Sequence, residues 1–76
     1  MDKIIAILKK IKPIENFDEN TKIVDNHLLT SFEMYKLISE LNFEFDIEIL
    51  PPDIIPQNFN TPAAIKALVE KHQDED

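Results

Sequence analysis

The apolar residues of this chain recur at helical spacing in three segments, and prolines separate those segments. The first segment starts at Asp2, which can cap a helix, and stops before Pro13, which lacks the amide hydrogen that a helix needs. Its predicted buried face consists of Ile4, Ile7, Leu8 and Ile11. No two segments show the alternation of apolar and polar residues that a pair of β-strands would require, so the pattern predicts an all-α protein.

The second and third segments predict the other main helices of a small bundle. The second runs over residues 31–45, and its predicted buried face consists of Met34, Leu37, Ile38, Leu41 and Phe45. The third begins with Thr61 as N-cap and Pro62 as the first helical residue. Its predicted face consists of Ile65, Leu68, Val69 and His72. Between them, "DIEIL" is expected to be an extended connection and "PDIIPQN" at most one helical turn. We therefore predict three main helices and one short helix.

The connection over residues 14–29 is polar and long for a loop between helices. Four apolar residues are expected to hold it against the core: Ile23, Val24, Leu28 and Leu29. The chain contains no Gly, so its turns must depend on Pro, Asn and Asp, and Asn26 is the expected left-handed residue before the second helix. We expect a single domain over residues 1–76, with a disordered acidic tail at 73–76.

Charge and composition exclude several classes of function. With 15 acidic and 8 basic residues the net charge is −7, which argues against nucleic acid and favours a basic partner. No apolar run is long enough for a membrane span and no signal-peptide pattern is present, so we expect a cytoplasmic protein. The chain has no Cys, no calcium-loop spacing and two distant histidines, of which His72 is expected to pack or to interact with the helix dipole. We predict no metal site and no catalytic residues.

The junction at Thr30 and Ser31 is the candidate functional position. Thr30 and Glu33 have the spacing of a capping box, so Thr30 caps the second helix and Ser31 is not needed for that purpose. Ser31 is then expected to face outward in the first turn, where the helix dipole favours a phosphate group. Ser and Thr are common at helix N-termini, so the pair alone indicates only a structural role.

Two stretches resemble the acyl carrier protein family: "LLTSF" at residues 28–32 and "EFDIEI" at residues 44–49. The likeness in length and helix order covers roughly residues 3–71, and it is strongest to the D-alanyl carriers and stand-alone biosynthetic carriers. It implies a 4′-phosphopantetheine group on Ser31, whose thiol holds an acyl or aminoacyl cargo as a thioester. A carrier of this kind is a substrate handle and not an enzyme, because the tether raises the effective concentration of the cargo at a docked active site.

The resemblance also implies the partners of the chain. They are a phosphopantetheinyl transferase, an acyl- or aminoacyl-loading enzyme and a downstream acyltransferase or synthase, and the carrier itself is expected to be a monomer. The residues expected to meet these partners are Thr30, Phe32, Glu33, Tyr35, Lys36, Ser39, Glu40 and Phe43. For Phe32, Tyr35 and Phe43 the pattern leaves two alternatives open, a place in the core or a docking surface.

The sequence departs from the family in ways that suggest a specialised carrier. Thr30 stands where the family usually has Asp, so a charge that helps the transferase engage is missing. Lys36 lies within the otherwise acidic recognition helix, either as a repulsive element that sets specificity or as a surface residue paired with Glu33 or Glu40. The alternative function is a small acidic helical module that binds a basic partner and is never modified.

Overall fold

Four α-helices and one 3₁₀ turn form the computed structural model, which describes residues 1–74. They are α1 (Asp2–Ile11), α2 (Ser31–Phe45), the 3₁₀ turn (Pro51–Asp53), α3 (Pro56–Phe59) and α4 (Pro62–Gln73). Within these residues there is no strand, and "DIEIL" is an irregular connection. The predicted all-α bundle of three main helices and one short helix is confirmed.

The predicted N-cap residues are confirmed for two of the three main helices. Thr30 and Thr61 are the N-caps of α2 and α4, and the Thr61 hydroxyl accepts a hydrogen bond from the Ala64 amide at 3.1 Å. The prediction for α1 is wrong, because Met1 is its N-cap and the Asp2 side chain makes no capping hydrogen bond. Asp2 is instead the first helical residue, where its negative charge suits the positive end of the helix dipole.

One apolar core joins the helices and the loops between them. Each main helix contributes three buried apolar residues, and the connections and α3 add four. These are Ile4, Ile7, Leu8, Leu37, Ile38, Leu41, Ile65, Leu68, Val69, Phe17, Ile23, Ile49 and Phe59. Residues predicted for the core that are only partly buried pack against its edge: Ile11, Val24, Leu28, Leu29, Met34 and Phe45. The predicted faces are therefore confirmed, and Phe17, Ile49 and Phe59 are core residues that the periodicity did not reveal.

The long connection between α1 and α2 is held by Asn60, which lies between α3 and α4. The Asn60 side-chain oxygen accepts hydrogen bonds from the backbone amides of Val24 and Asp25, each at 3.0 Å. Its backbone oxygen accepts a third from Ile23, whose side chain is buried in the core. The loop that leads into α2 is thus fixed by a residue more than thirty positions further along the chain.

Two residues other than glycine adopt left-handed backbone conformations, His27 with φ 52° and Asp46 with φ 53°. The expectation that Asn26 would be the left-handed residue before α2 is wrong by one position. The amide of Asn26 closes a helical turn on Lys22, and the chain reverses at the next residue. His and Asp are among the side chains that tolerate this region best.

The longest of these helices, α2, has 15 residues, and none within residues 1–74 is both long and apolar enough to cross a membrane. At the other end of the chain, Gln73 is the last residue of α4 and Asp74 is its C-cap. The predicted disorder of the acidic tail at 73–76 is therefore wrong for Gln73 and Asp74, and residues 75 and 76 lie outside the described residues.

We expect Leu37→Ala to lower the free energy of unfolding by about 2–5 kcal/mol, because it leaves a cavity where α2 packs on the core. The Leu37 side chain is fully buried. Urea denaturation measures this change. Ser39→Ala, at an exposed position on the same helix, is the control and should change stability by less than about 0.5 kcal/mol. Equal losses in the two variants would contradict the assignment of the buried face.

Candidate functional site

The start of α2 is closed by a complete capping box, as predicted. The Thr30 hydroxyl accepts a hydrogen bond from the Glu33 amide at 3.1 Å, and the Glu33 carboxylate accepts one from the Thr30 amide at 2.9 Å. Two of the amide groups at the end of the helix therefore have partners without any contribution from Ser31. Thr30 and Glu33, both predicted as partner-recognition residues, are engaged in the fold itself.

Glu33 is also held by Lys12, the C-cap residue of α1, which we count with the lysines of that helix. Its two carboxylate oxygens lie 3.1 and 3.2 Å from the Lys12 ammonium nitrogen, and both side chains are largely covered. The hydrogen bond from the Thr30 amide, followed by that from Lys12, lowers the pKa of Glu33 below its usual value of 4.5, although partial burial opposes the shift. Glu33 is therefore a carboxylate near neutral pH, where it ties the end of α1 to the start of α2.

Ser31 lies exposed in the first turn of α2, as predicted. Its hydroxyl has no hydrogen-bond partner within residues 1–74, and neither do the amides of Ser31 and Phe32. Free amides at a helix N-terminus favour a bound anion, by about 0.3–1 kcal/mol where exposed. The position thus combines a free hydroxyl with donors that suit a phosphate ester on that oxygen.

An apolar hollow of about 280 Å³ lies beside Ser31. Its lining residues are Leu29, Thr30, Ser31, Met34, Tyr35 and Ile54. A second hollow of about 220 Å³ leads on between α2 and α3, and it shares Met34 and Ile54 with the first. The two hollows therefore adjoin at Met34 and Ile54, and the second is also lined by the buried Phe59.

The wall that carries Ile54 is anchored to α4 through Asp53. The Asp53 carboxylate lies 2.8 Å from Nε2 of His72, and its backbone oxygen accepts a hydrogen bond from the Asn58 side chain at 2.8 Å. His72 is partly buried in the last turn of α4, in keeping with its predicted packing role. The contact with Asp53 joins residues 19 positions apart, and nothing in the local sequence signals it.

The outward side of α2 carries three large aromatic side chains. Phe32, Tyr35 and Phe43 are 68, 67 and 88% exposed, so the alternative that placed them in the core is excluded. Lys36 and Ser39 are exposed between them. The structure thus brings together five of the residues predicted for partner recognition on one face, with Glu40 partly buried at its edge.

The glutamates of α2 point toward α1 and are paired with its lysines. The three ion pairs are Lys3–Glu44 at 3.6 Å, Lys10–Glu40 at 2.9 Å and Lys12–Glu33 at 3.1 Å. This arrangement was not predicted, although the signal was present in the clustering of lysines in the first helix. The acidic side of α2 is therefore largely neutralised within the molecule.

Lys36 is an exposed surface residue, but the predicted ion pair with Glu33 or Glu40 is wrong. Its ammonium nitrogen lies 5.0 Å from the centre of the Phe32 ring, which is a cation–π distance. The two glutamates are instead bound by lysines of α1. The Lys36 side chain therefore lies on the exposed face of α2 with Phe32 and Phe43, without a carboxylate of residues 1–74 beside it in an ion pair.

Within residues 1–74, no group of three histidine or carboxylate side chains is placed to hold a metal ion. Comparison with known proteins adds nothing to this picture, since no family model, curated protein or solved structure matches the chain.

The Asp53–His72 contact predicts a pH-dependent contribution to stability. Burial raises the pKa of Asp53, but hydrogen bonds from the His72 side chain and from the backbone of Leu50 outweigh that effect and hold the pKa below its usual 3.8. The stabilisation is therefore present above pH 3.8 and is lost as the pH falls through the lower value of the folded state. Asp53→Asn should be less stable than wild type at pH 7.

Urea denaturation from pH 7 down to strongly acidic conditions measures this difference. The gap between wild type and Asp53→Asn should narrow as the pH falls. Glu70→Gln, which removes an exposed carboxylate from α4, is the control and should show no such gap. A gap that is independent of pH would show that the Asp53 charge does not stabilise the wall beside Ser31.

Proposed function

We propose that this chain is a carrier protein of the acyl carrier type, with 4′-phosphopantetheine attached to the hydroxyl of Ser31. The observation that carries the proposal is that the capping box is complete without Ser31, which leaves an exposed, unbonded hydroxyl at the helix start. The resemblance of "LLTSF" and "EFDIEI" to the carrier family indicates the same residue.

The residues around Ser31 fit such a group. The free amides of Ser31 and Phe32 can stabilise the negative charge of a phosphodiester on the serine oxygen. The apolar hollow beside it, walled by Met34 and Ile54, can receive the apolar part of a cargo. When bound, the arm supplies a thiol that holds the cargo as a thioester, and this lining favours an acyl chain over a charged aminoacyl group.

In this proposal the chain performs no catalysis and presents its cargo to other enzymes. Its partners are a phosphopantetheinyl transferase, a loading enzyme, and an acyltransferase or synthase that takes the cargo. A monomer is sufficient for this role, because each copy has its own attachment serine. A cytoplasmic location belongs to the same proposal, since coenzyme A, the donor of the group, is a cytoplasmic metabolite.

The second candidate is an unmodified helical interaction module. The exposure of Phe32, Tyr35 and Phe43 on one face of α2 favours it, since large apolar patches mark sites of association. A basic partner docking through the glutamates of α2 is disfavoured, because three lysines of α1 already pair with them.

Incubation of the full chain with coenzyme A and a broad-specificity phosphopantetheinyl transferase should add one phosphopantetheine, measured by intact mass. Ser31→Ala should abolish the addition and keep the helical circular dichroism, because the cap does not use Ser31. Ser39→Ala, a second exposed serine on α2, is the matched control and should still be modified. Addition to Ser31→Ala would show that Ser31 is not the attachment site, and no addition to wild type with several transferases would favour the interaction module.

We expect Thr30→Asp to speed the same transfer severalfold, because it restores a carboxylate beside Ser31 while keeping a capping side chain. Initial rates followed by mass spectrometry measure the effect. Thr30→Asn also caps but adds no charge, so it separates the two contributions and should react like wild type. A rate for Thr30→Asp equal to that of Thr30→Asn would remove the role of the charge.

A further inference from the structure

Two stripes run along α2, offset by one residue. Phe32, Lys36, Ser39 and Phe43 lie at positions i, i+4, i+7 and i+11 and are exposed. Glu33, Glu40 and Glu44 lie at i, i+7 and i+11 of the next stripe, and each is paired with a lysine of α1. Because positions at this spacing share a helix face, the acidic stripe turns toward α1 and the aromatic stripe turns outward.

The local charge of the outward stripe is opposite to that of the whole protein. The chain has a net charge of −7, yet among the residues of this stripe only Lys36 is charged. The neighbouring carboxylates are compensated by ion pairs, at 2.9 Å for Lys10 and Glu40. A surface that approaches this face therefore meets aromatic rings and one positive charge.

The same face borders a hollow of about 380 Å³ between the end of α1 and α2. Its lining residues are Lys10, Ile11, Phe32, Tyr35, Lys36, Ser39 and Glu40. Tyr35 lines both this hollow and the one beside Ser31, so the two adjoin at its ring. A partner seated here would contact the chain directly next to the attachment serine.

We propose that the outward face of α2 docks a protein whose contact surface is apolar and acidic, with a carboxylate that pairs with Lys36. A partner that buried Phe32 and Tyr35 would remove Lys36 from water, and a carboxylate opposite it would compensate that loss. A basic docking patch would instead set like charges against each other. The role of this partner, which is to load or unload cargo at Ser31, rests on the proposed function. Its binding place is inferred from the ion pairs of α2.

Two synthetic amphipathic helical peptides test the partner class. They share one Leu- and Phe-bearing face, and the flanking positions carry Glu in one and Lys in the other. Each is titrated into the unmodified ¹⁵N-labelled full chain at about 0.15 M salt, where long-range attraction is screened beyond about 8 Å. The Glu peptide should shift the amide signals of Phe32, Tyr35 and Lys36 and bind about fivefold more tightly than the Lys peptide.

Lys36→Glu should reverse this preference. Lys66→Glu changes the net charge equally but lies exposed on α4, and it should leave the preference as in wild type. Preference of the wild-type face for the Lys peptide, the same ratio in Lys36→Glu as in wild type, or no shifts on α2 with either peptide would each overturn the proposal.

The outcome is independent of modification at Ser31, since the titration uses the unmodified chain. A chain that takes phosphopantetheine but shows no preference for the Glu peptide would refute the partner class alone. A chain that prefers the Glu peptide but is never modified would refute the carrier and keep the surface, as that of an interaction module.

Discussion

The burial of one face of α2 determines the orientation of every functional side chain in this protein. Leu37, Ile38 and Leu41 lie in the core, and full burial of such a side chain contributes about 1.5–3 kcal/mol. An ion pair between exposed side chains, such as Lys3 and Glu44, contributes no more than about 1 kcal/mol. The apolar face therefore sets the rotation of the helix, and the ion pairs follow from it. With that rotation, Ser31 and the aromatic stripe both face outward.

The chain achieves its turns without glycine, and this places strain at two defined positions. His27 and Asp46 adopt left-handed conformations, which cost side chains other than glycine about 1–2 kcal/mol. Each is compensated by nearby hydrogen bonds, from Leu28 to Ile23 before α2 and from Ile49 to the side chain of Asn42 after it. The capping box of Thr30 and Glu33 sets the start of α2 at Ser31, and the left-handed C-cap Asp46 sets its end.

The two proposals use different parts of α2 and depend on different observations. The serine hydroxyl and its hollow lie at the start of the helix, and the aromatic face runs from Phe32 to Phe43 along its length. Internal pairing of the glutamates with α1 leaves this face with Lys36 as its charge. An acidic protein can therefore present a locally cationic docking surface, so the net charge of −7 does not by itself identify the partner.

The sequence alone determined the features that depend on neighbouring residues and on helical period. The three buried faces, the capping box of Thr30, the N-cap at Thr61 and the exposure of Ser31 follow from spacings of three or four positions, because each turn of a helix brings such residues together. The tertiary structure decided what depends on distant contacts. His27 is left-handed just after the loop residues that Asn60 holds, and Asp53 contacts His72 across the packing of α3 and α4. Glu40 and Glu33 pair with Lys10 and Lys12 and not with Lys36, because α1 and α2 lie side by side. No local spacing in the sequence predicts which helix will be the neighbour.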